Sequence, residues 1–318
     1  MGDARTGPSG GAAAGSSGRA AAESTGRVAA GRPAWWVRLA AALPWPLLYG
    51  LADILAWVAW RVIPYRADVV GENLRLAFPE LDAQQLEEIK RRYYRGFGEV
   101  LVEVIKAARL PPEEIRRRVV LRGLDRVRER LAAGAPVLLV AAHQCNWEWM
   151  LLALSLELGF PLDAAYKPLV DAWAEREMLK LRTRFGSRLV PAQQLLGDII
   201  RRGRTPRAIA MVADQEPRTS EHKHWTRFLN RDTAFYVGAE EIARATKFPV
   251  FFVAMRRLRR GYYEVAVEPL AEGGETPAPG ELIERYARRV EAQIRAAPAD
   301  WPWSHKRWKL KRSLYQRA

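Results

Sequence analysis

Residues 136–150 read PVLLVAAHQCNWEWM. Four consecutive apolar residues, Val137 to Val140, give the pattern of a strand buried on both faces. Two alanines lead from it to His143. Asn146 then opens a helical pattern of large apolar side chains, with Glu148 near its start. One imidazole and one carboxylate therefore flank a strand-to-helix turn. In open α/β folds that turn lies at the carboxyl ends of the strands, where active sites collect. A neutral imidazole there is a base suited to neutral pH, and a carboxylate can fix its tautomer. No serine stands near the pair, so the nucleophile it serves is a hydroxyl of the substrate. The same spacing also fits a buried histidine that caps a helix.

Outward from this stretch the pattern alternates. Strands are predicted at 119–121, 137–141, 162–166, 188–191, 208–213, 250–256 and 262–267. Helices are predicted at 146–157, 171–185, 195–202, 235–246 and 280–297, with two more upstream, over 87–110 and from Pro112. Proline in the opening turn and Glu113 and Glu114 suit the start of that last helix. Alternating strands and helices specify an α/β fold with a central, mostly parallel sheet flanked by helices.

The first 34 residues are rich in Gly, Ala, Ser and Arg, without apolar periodicity, and read as a disordered tail. Residues 39–60 are mostly apolar and about 33 Å long as one helix. That length reaches across a bilayer core, so 35–66 reads as a transmembrane or membrane-associated helix, with 67–318 as the main domain. Asp53 opposes a central span, at about 2.5–3.5 kcal/mol. Pro44 and Pro46 disturb its first third. A tilted span, a deep interfacial helix and a buried helix of a soluble core all fit.

Composition narrows the function classes. The 318 residues carry 51 Lys and Arg against 36 Asp and Glu, a net charge of +15. Such a surplus calls for an anionic partner. Twelve tryptophans favour a membrane surface over nucleic acid, because indole rings settle at headgroup depth. Zinc-finger spacing, leucine-zipper heptads and aromatic RNA-binding motifs are missing. One cysteine, Cys145, excludes an intrachain disulfide and fits a reducing compartment. Two residues from His143, it reads as a small buried filler rather than a nucleophile. His222 and His224 lie in a predicted loop without a third metal ligand nearby.

The His-x4-Glu after an apolar strand resembles the His-x4-Asp/Glu motif of the glycerolipid acyltransferase superfamily. The wider pattern is similar to the lipid A biosynthesis (lauroyl/myristoyl) acyltransferases. The matching pieces run in order over roughly residues 35–312: Tyr65-Arg66, Asn73-Leu74, Phe78-Pro79-Glu80, His143 to Glu148, Tyr166-Lys167-Pro168, Arg182 with Gly186, Asp214-Gln215, Trp225 to Asn230, Thr233, and Trp303 to Lys309. The resemblance implies transfer of a fatty acyl group from an acyl-carrier-protein thioester to a hydroxyl of an anionic glycolipid, a lipid A precursor. It places the protein on the cytoplasmic face of a bacterial inner membrane and requires no cofactor and no metal.

By the same resemblance His143 is the base and Glu148 its partner. Arg182, Asp214, Tyr166 and Lys167 contact substrate. Arg182 has the planar fork that grips phosphate. Asp214 follows a predicted strand, which puts it at the same sheet edge as His143. The segment after Asp214-Gln215 departs from the glycine-containing stretch of better-known members, so the acceptor pocket is expected to differ. Other acceptors with the same chemistry are a phosphatidylinositol mannoside, an ornithine lipid or a lysophospholipid. The tail 301–318 has Lys306, Arg307, Lys309, Lys311, Arg312 and Arg317 interleaved with Trp301, Trp303 and Trp308, a pattern that suits an anionic lipid surface.

Overall fold

The computed structural model describes residues 32–217, 222–275 and 277–312. The reading of the first 34 residues as a disordered tail falls almost wholly outside them. Five helices come first: α1 (Trp35–Ala42), α2 (Trp45–Trp57), α3 (Ala67–Ala77), α4 (Ala83–Ala107) and α5 (Pro112–Arg118). The α/β part follows as β1 (Val119–Arg122), α6 (Leu124–Ala132), β2 (Val137–Ala141), α7 (Trp147–Glu157), β3 (Leu162–Tyr166), α8 (Ala172–Arg182), β4 (Arg188–Pro191), α9 (Leu195–Arg202) and β5 (Ala208–Val212). It closes with β6 (Lys223–Phe228), β7 (Arg231–Tyr236), α10 (Gly238–Thr246), β8 (Val250–Arg259), β9 (Tyr262–Ala271) and α11 (Glu281–Ala296).

Seven strands form one sheet in the order β1-β9-β8-β2-β5-β3-β4. Only the β8–β9 pairing is antiparallel. β2 sits in the middle and is buried along its whole length. Its side chains alternate between two cores, as the strand period requires. Val137, Leu139 and Ala141 join Trp149 and Leu152 of α7 on one face. Leu138 and Val140 join Ile283, Tyr286 and Val290 of α11 on the other.

The predicted helix over 235–246 starts too early. Phe235 and Tyr236 belong to β7, which pairs with β6 in a separate antiparallel hairpin. The turn uses Leu229 and Asn230, both with positive φ. Leu-Asn lacks the Asn-Gly signature of such turns, so the sequence concealed the hairpin. Its inward rings, Phe228 and Phe235, are fully buried and meet edge to face.

The N-terminal segment is not one straight helix. Leu43 takes an extended conformation, because a residue before proline is driven out of the helical region, and Pro44 is extended as the N-cap of α2. α1 and α2 consequently meet at 105°, and among the described residues no single helix is long and apolar enough to cross a membrane. Asp53 faces the protein: Arg260 grips both of its oxygens at 2.6 and 3.1 Å. The outer side of α2 leaves Leu47, Leu51, Ile54 and Trp57 exposed.

The inner side of α2 (Leu48, Ala52, Ala56) lies on α4 at very close range. A Cβ added at Gly98 would stand 2.7 Å from the Ala52 carbonyl oxygen. Gly98→Leu is therefore expected to destabilise the chain by about 1–3 kcal/mol through overpacking, read as a lower urea midpoint. An unchanged midpoint would mean that α2 is not held there.

Candidate active site

β2 and β5 are parallel neighbours, with Ala141 opposite Val212. Two residues further along each strand come His143 and Asp214, so sheet register brings them together. His143 Nδ1 lies 2.6 Å from Asp214 Oδ1. The other oxygen, Oδ2, accepts the His143 backbone N–H at 3.1 Å and the Trp301 indole N–H at 2.8 Å. Asp214 is 1% exposed. Burial works to raise its pKa, but the His143 ring and the converging N–H donors outweigh burial and hold it below the ordinary carboxylate range. The ring's other nitrogen, Nε2, faces the Gln215 side-chain amide at 3.4 Å. The imidazole is partly open to solvent, at 19% side-chain exposure.

The carboxylate on His143 Nδ1 is therefore Asp214, and the expectation that Glu148 holds this nitrogen is corrected. Glu148 is bound by Arg182 through two parallel bonds, Nε to Oε2 at 2.9 Å and Nη2 to Oε1 at 2.6 Å. The reason lies in the turn. Cys145 takes a left-handed conformation (φ 55°), and its N–H is tied to the Asp300 carbonyl. α7 starts only after this reversal, so Glu148 in its first turn is engaged by α8. Burial works against the Arg182 charge, but Glu148 outweighs it and raises that pKa.

The two pairs are joined by Trp147. Its ring stands edge to face with His143 at 5.2 Å, and its indole N–H donates to Glu148 Oε1 at 3.1 Å. Tyr166, at the end of β3, has its phenol pushed up by burial and by neighbouring Glu175, and it also lies within electrostatic reach of Arg182. Lys167 is exposed next to it.

The turn that carries His143 is anchored from below. Asn146 caps α7 by accepting the Trp149 N–H at 3.0 Å. Its amide donates at 2.8 Å to Glu103, a fully buried carboxyl that also accepts from the Tyr49 and Tyr263 hydroxyls. Burial raises the Glu103 pKa. The Cys145 thiol is likewise buried and pushed well up, which fits a packing role.

The tail differs most from expectation. Trp301, Trp303 and Trp308 are core residues rather than a lipid-facing row. Arg307 is buried with them, donates to the Ala234 carbonyl, and has its pKa pulled down to about 10 by that burial. Lys306, Lys309 and Lys311 remain exposed, and Arg317 lies outside the described residues. Asn73 of α3 binds the carbonyls of Trp303 and His305, which pins the tail against the sheet edge.

His305 is the site residue that sequence reasoning passed over. Burial, then Arg307, lowers its pKa from the usual 6.5 to about 4, and His143 and Asp214 lie within electrostatic reach. The unfolded chain protonates this ring first as pH falls. The stability held by the neutral form is thus complete above about 6.5 and is lost on descending towards 4. Urea midpoints measured across that window are expected to drop for the wild type and less steeply for His305→Gln. Parallel slopes would contradict this.

Among the described residues no three His, Cys, Asp or Glu side chains are grouped to hold a metal. His224 lies on β6 and is bound to Glu284 at 2.8 Å, while His222 approaches Glu241 at 3.6 Å.

Fold and site together define an α/β protein with an imidazole–carboxylate pair opening at the carboxyl edge of a mostly parallel sheet. The chain belongs to the bacterial lipid A biosynthesis acyltransferases, whose family model matches residues 30–310. It is an acyltransferase. Among curated proteins it is similar to the lipid A biosynthesis palmitoleoyltransferase of Escherichia coli (strain K12), at 24% identity over 87% of this chain and 88% of that one. It is also similar to the lipid A biosynthesis lauroyltransferase of the same strain, at 27% identity over 86% and 89%. A lipid A biosynthesis acyltransferase of Shigella flexneri matches at 24% over 87% and 88%.

Proposed function

We propose that the protein transfers a fatty acyl chain from an acyl-carrier-protein thioester to a hydroxyl of a lipid A precursor, at the cytoplasmic face of the inner membrane. His143 Nε2 takes the proton of the acceptor hydroxyl as its oxygen attacks the thioester carbonyl carbon. Asp214 keeps the proton on Nδ1, so that the lone pair is on Nε2, and it stabilises the imidazolium that forms. The tetrahedral oxyanion is met by backbone N–H groups at the opening of α7. Its collapse expels the carrier's thiolate, which recovers the proton from His143.

Arg182, oriented by Glu148, retains unused donors for an anionic phosphate of the acceptor. Tyr166 and Lys167 border the same entrance. The observation that carries this reading is the 2.6 Å contact between the partly open imidazole and a buried carboxylate held ionised by three N–H groups. Its test is acyl transfer by the purified full chain, using acyl-loaded carrier protein and a lipid A precursor. Absence of acylated product would end the reading. Lipid profiling of a deletion strain identifies the acceptor independently.

A further inference from the structure

Between β3 and α8 the chain runs through a short loop at the carboxyl edge of the sheet, the edge that carries His143. Its tip is apolar: Val170 is completely exposed, at 106%, and Leu169 is exposed at 42%. The loop is held in that shape. The Leu169 N–H donates to Glu175 at 2.8 Å, and Asp171 caps α8 by accepting the Ala174 N–H at 2.7 Å. The exposure is thus built into the fold. Trp173, in the first turn of α8, stacks on Trp36 of α1 at 4.8 Å and 22°. Trp35 and Leu39 on α1 are exposed at 73% and 60%. The Trp36–Trp173 stack therefore joins the exposed apolar residues of α1 to the first turn of α8, directly behind the loop, as one surface.

We infer that this surface, tipped by Leu169 and Val170, lies in the headgroup layer of an anionic phospholipid bilayer and sets the site's entrance at the membrane. Charge selects the bilayer as occupant. Exposed cations border the surface on both elements, Arg32 and Arg38 at α1 and Lys167 and Arg176 flanking the loop, and they outnumber the one exposed carboxylate at the tip, Asp171, which is occupied as the cap of α8. The one acidic residue among 32–66, Asp53, is half-exposed and has its charge offset by Arg260, which binds both of its oxygens. Basic residues around an apolar, tryptophan-bearing face are the composition of an interfacial element. α1 lies at 105° to the helical stretch Trp45–Val62, so the two do not form one straight span of the roughly 30 Å hydrocarbon core, and in the inferred arrangement both lie along the interface.

The inference rests on the acyl-acceptor reading only for its purpose, since it brings the entrance beside Tyr166 and Arg182 to a lipid substrate. Insertion can be measured without activity. Cys145 is 2% exposed, so a new surface cysteine takes a thiol-reactive fluorophore selectively. Val170→Cys, labelled with an environment-sensitive dye, is mixed with phosphatidylglycerol vesicles and separately with phosphatidylcholine vesicles. Ala133→Cys is the control, exposed at the opposite edge of the sheet before β2.

The label at 170 is expected to shift to the blue with phosphatidylglycerol, and that at 133 is not. Leu169→Glu with Val170→Glu is expected to weaken vesicle binding about tenfold or more, while transfer to a short-chain, water-dispersed acceptor is retained. A label at 170 that stays in water while the chain is vesicle-bound overturns the inference. So does a blue shift that follows protein concentration without lipid, which assigns the surface to a second copy of the chain. Insertion without acyl transfer would support this surface and count only against the proposed activity.

Discussion

Replacing His143 by alanine is expected to lower kcat for acyl transfer by about a hundredfold to ten-thousandfold, the range contributed by a positioned general base. Asp214→Asn should fall in the same range without disturbing the fold. An amide at that position presents an N–H or a weaker acceptor to Nδ1, which frees the ring to carry its proton on Nε2, where the acceptor hydroxyl must be met. The double variant should be no worse than either single one, because the two groups act as a unit.

Glu148→Gln separates the roles of the two carboxylates. It leaves the His143–Asp214 contact in place and weakens the fork that orients Arg182. Its loss is expected mainly in KM for a phosphorylated acceptor, with less change in kcat. Steady-state kinetics of the three variants decide the matter. A kcat collapse in Glu148→Gln beside a nearly normal Asp214→Asn would reverse the assignment.

Trp301→Ala is expected to destabilise the chain by about 3–5 kcal/mol, the cost of removing a fully buried indole. Trp301 packs edge to face with Trp303 at 4.8 Å and also contacts Phe228 and Trp308. The same change removes the N–H that helps keep Asp214 ionised. Trp301→Phe splits the two effects. Much of the ring packing survives, so the thermal midpoint falls far less than in the alanine variant. The lost hydrogen bond to a charged group, worth about 1.5–3 kcal/mol, should still impair transfer. A thermal midpoint in Trp301→Ala equal to that of the wild type would show that the tail does not close the core.

β2, β5 and the first half of β8 were legible because each is a short apolar run, the mark of a strand buried between its neighbours, and β9 was legible from its alternation. The β6–β7 hairpin was not, because Lys223 to Phe228 contains polar and apolar residues without the usual turn dipeptide. His143 was legible as a group at the strand ends. The tail was misread because composition cannot distinguish a tryptophan that anchors lipid from one that fills a core. That depends on what Asn73, Thr233 and Asp214 offer to its carbonyls and indole nitrogens.

The α/β class, the position of an imidazole where the central strand ends, and the family with its ordered motifs are all readable from the chain without its fold. These are local properties, carried by apolar period and by residues close in the chain. Tertiary packing fixes which carboxylate hydrogen-bonds His143. That choice follows from β5 lying beside β2 in parallel register, a pairing across a long crossover that no short stretch encodes. It also fixes the ion pair of Asp53, because Arg260 reaches that carboxylate only after the β8–β9 hairpin is in place.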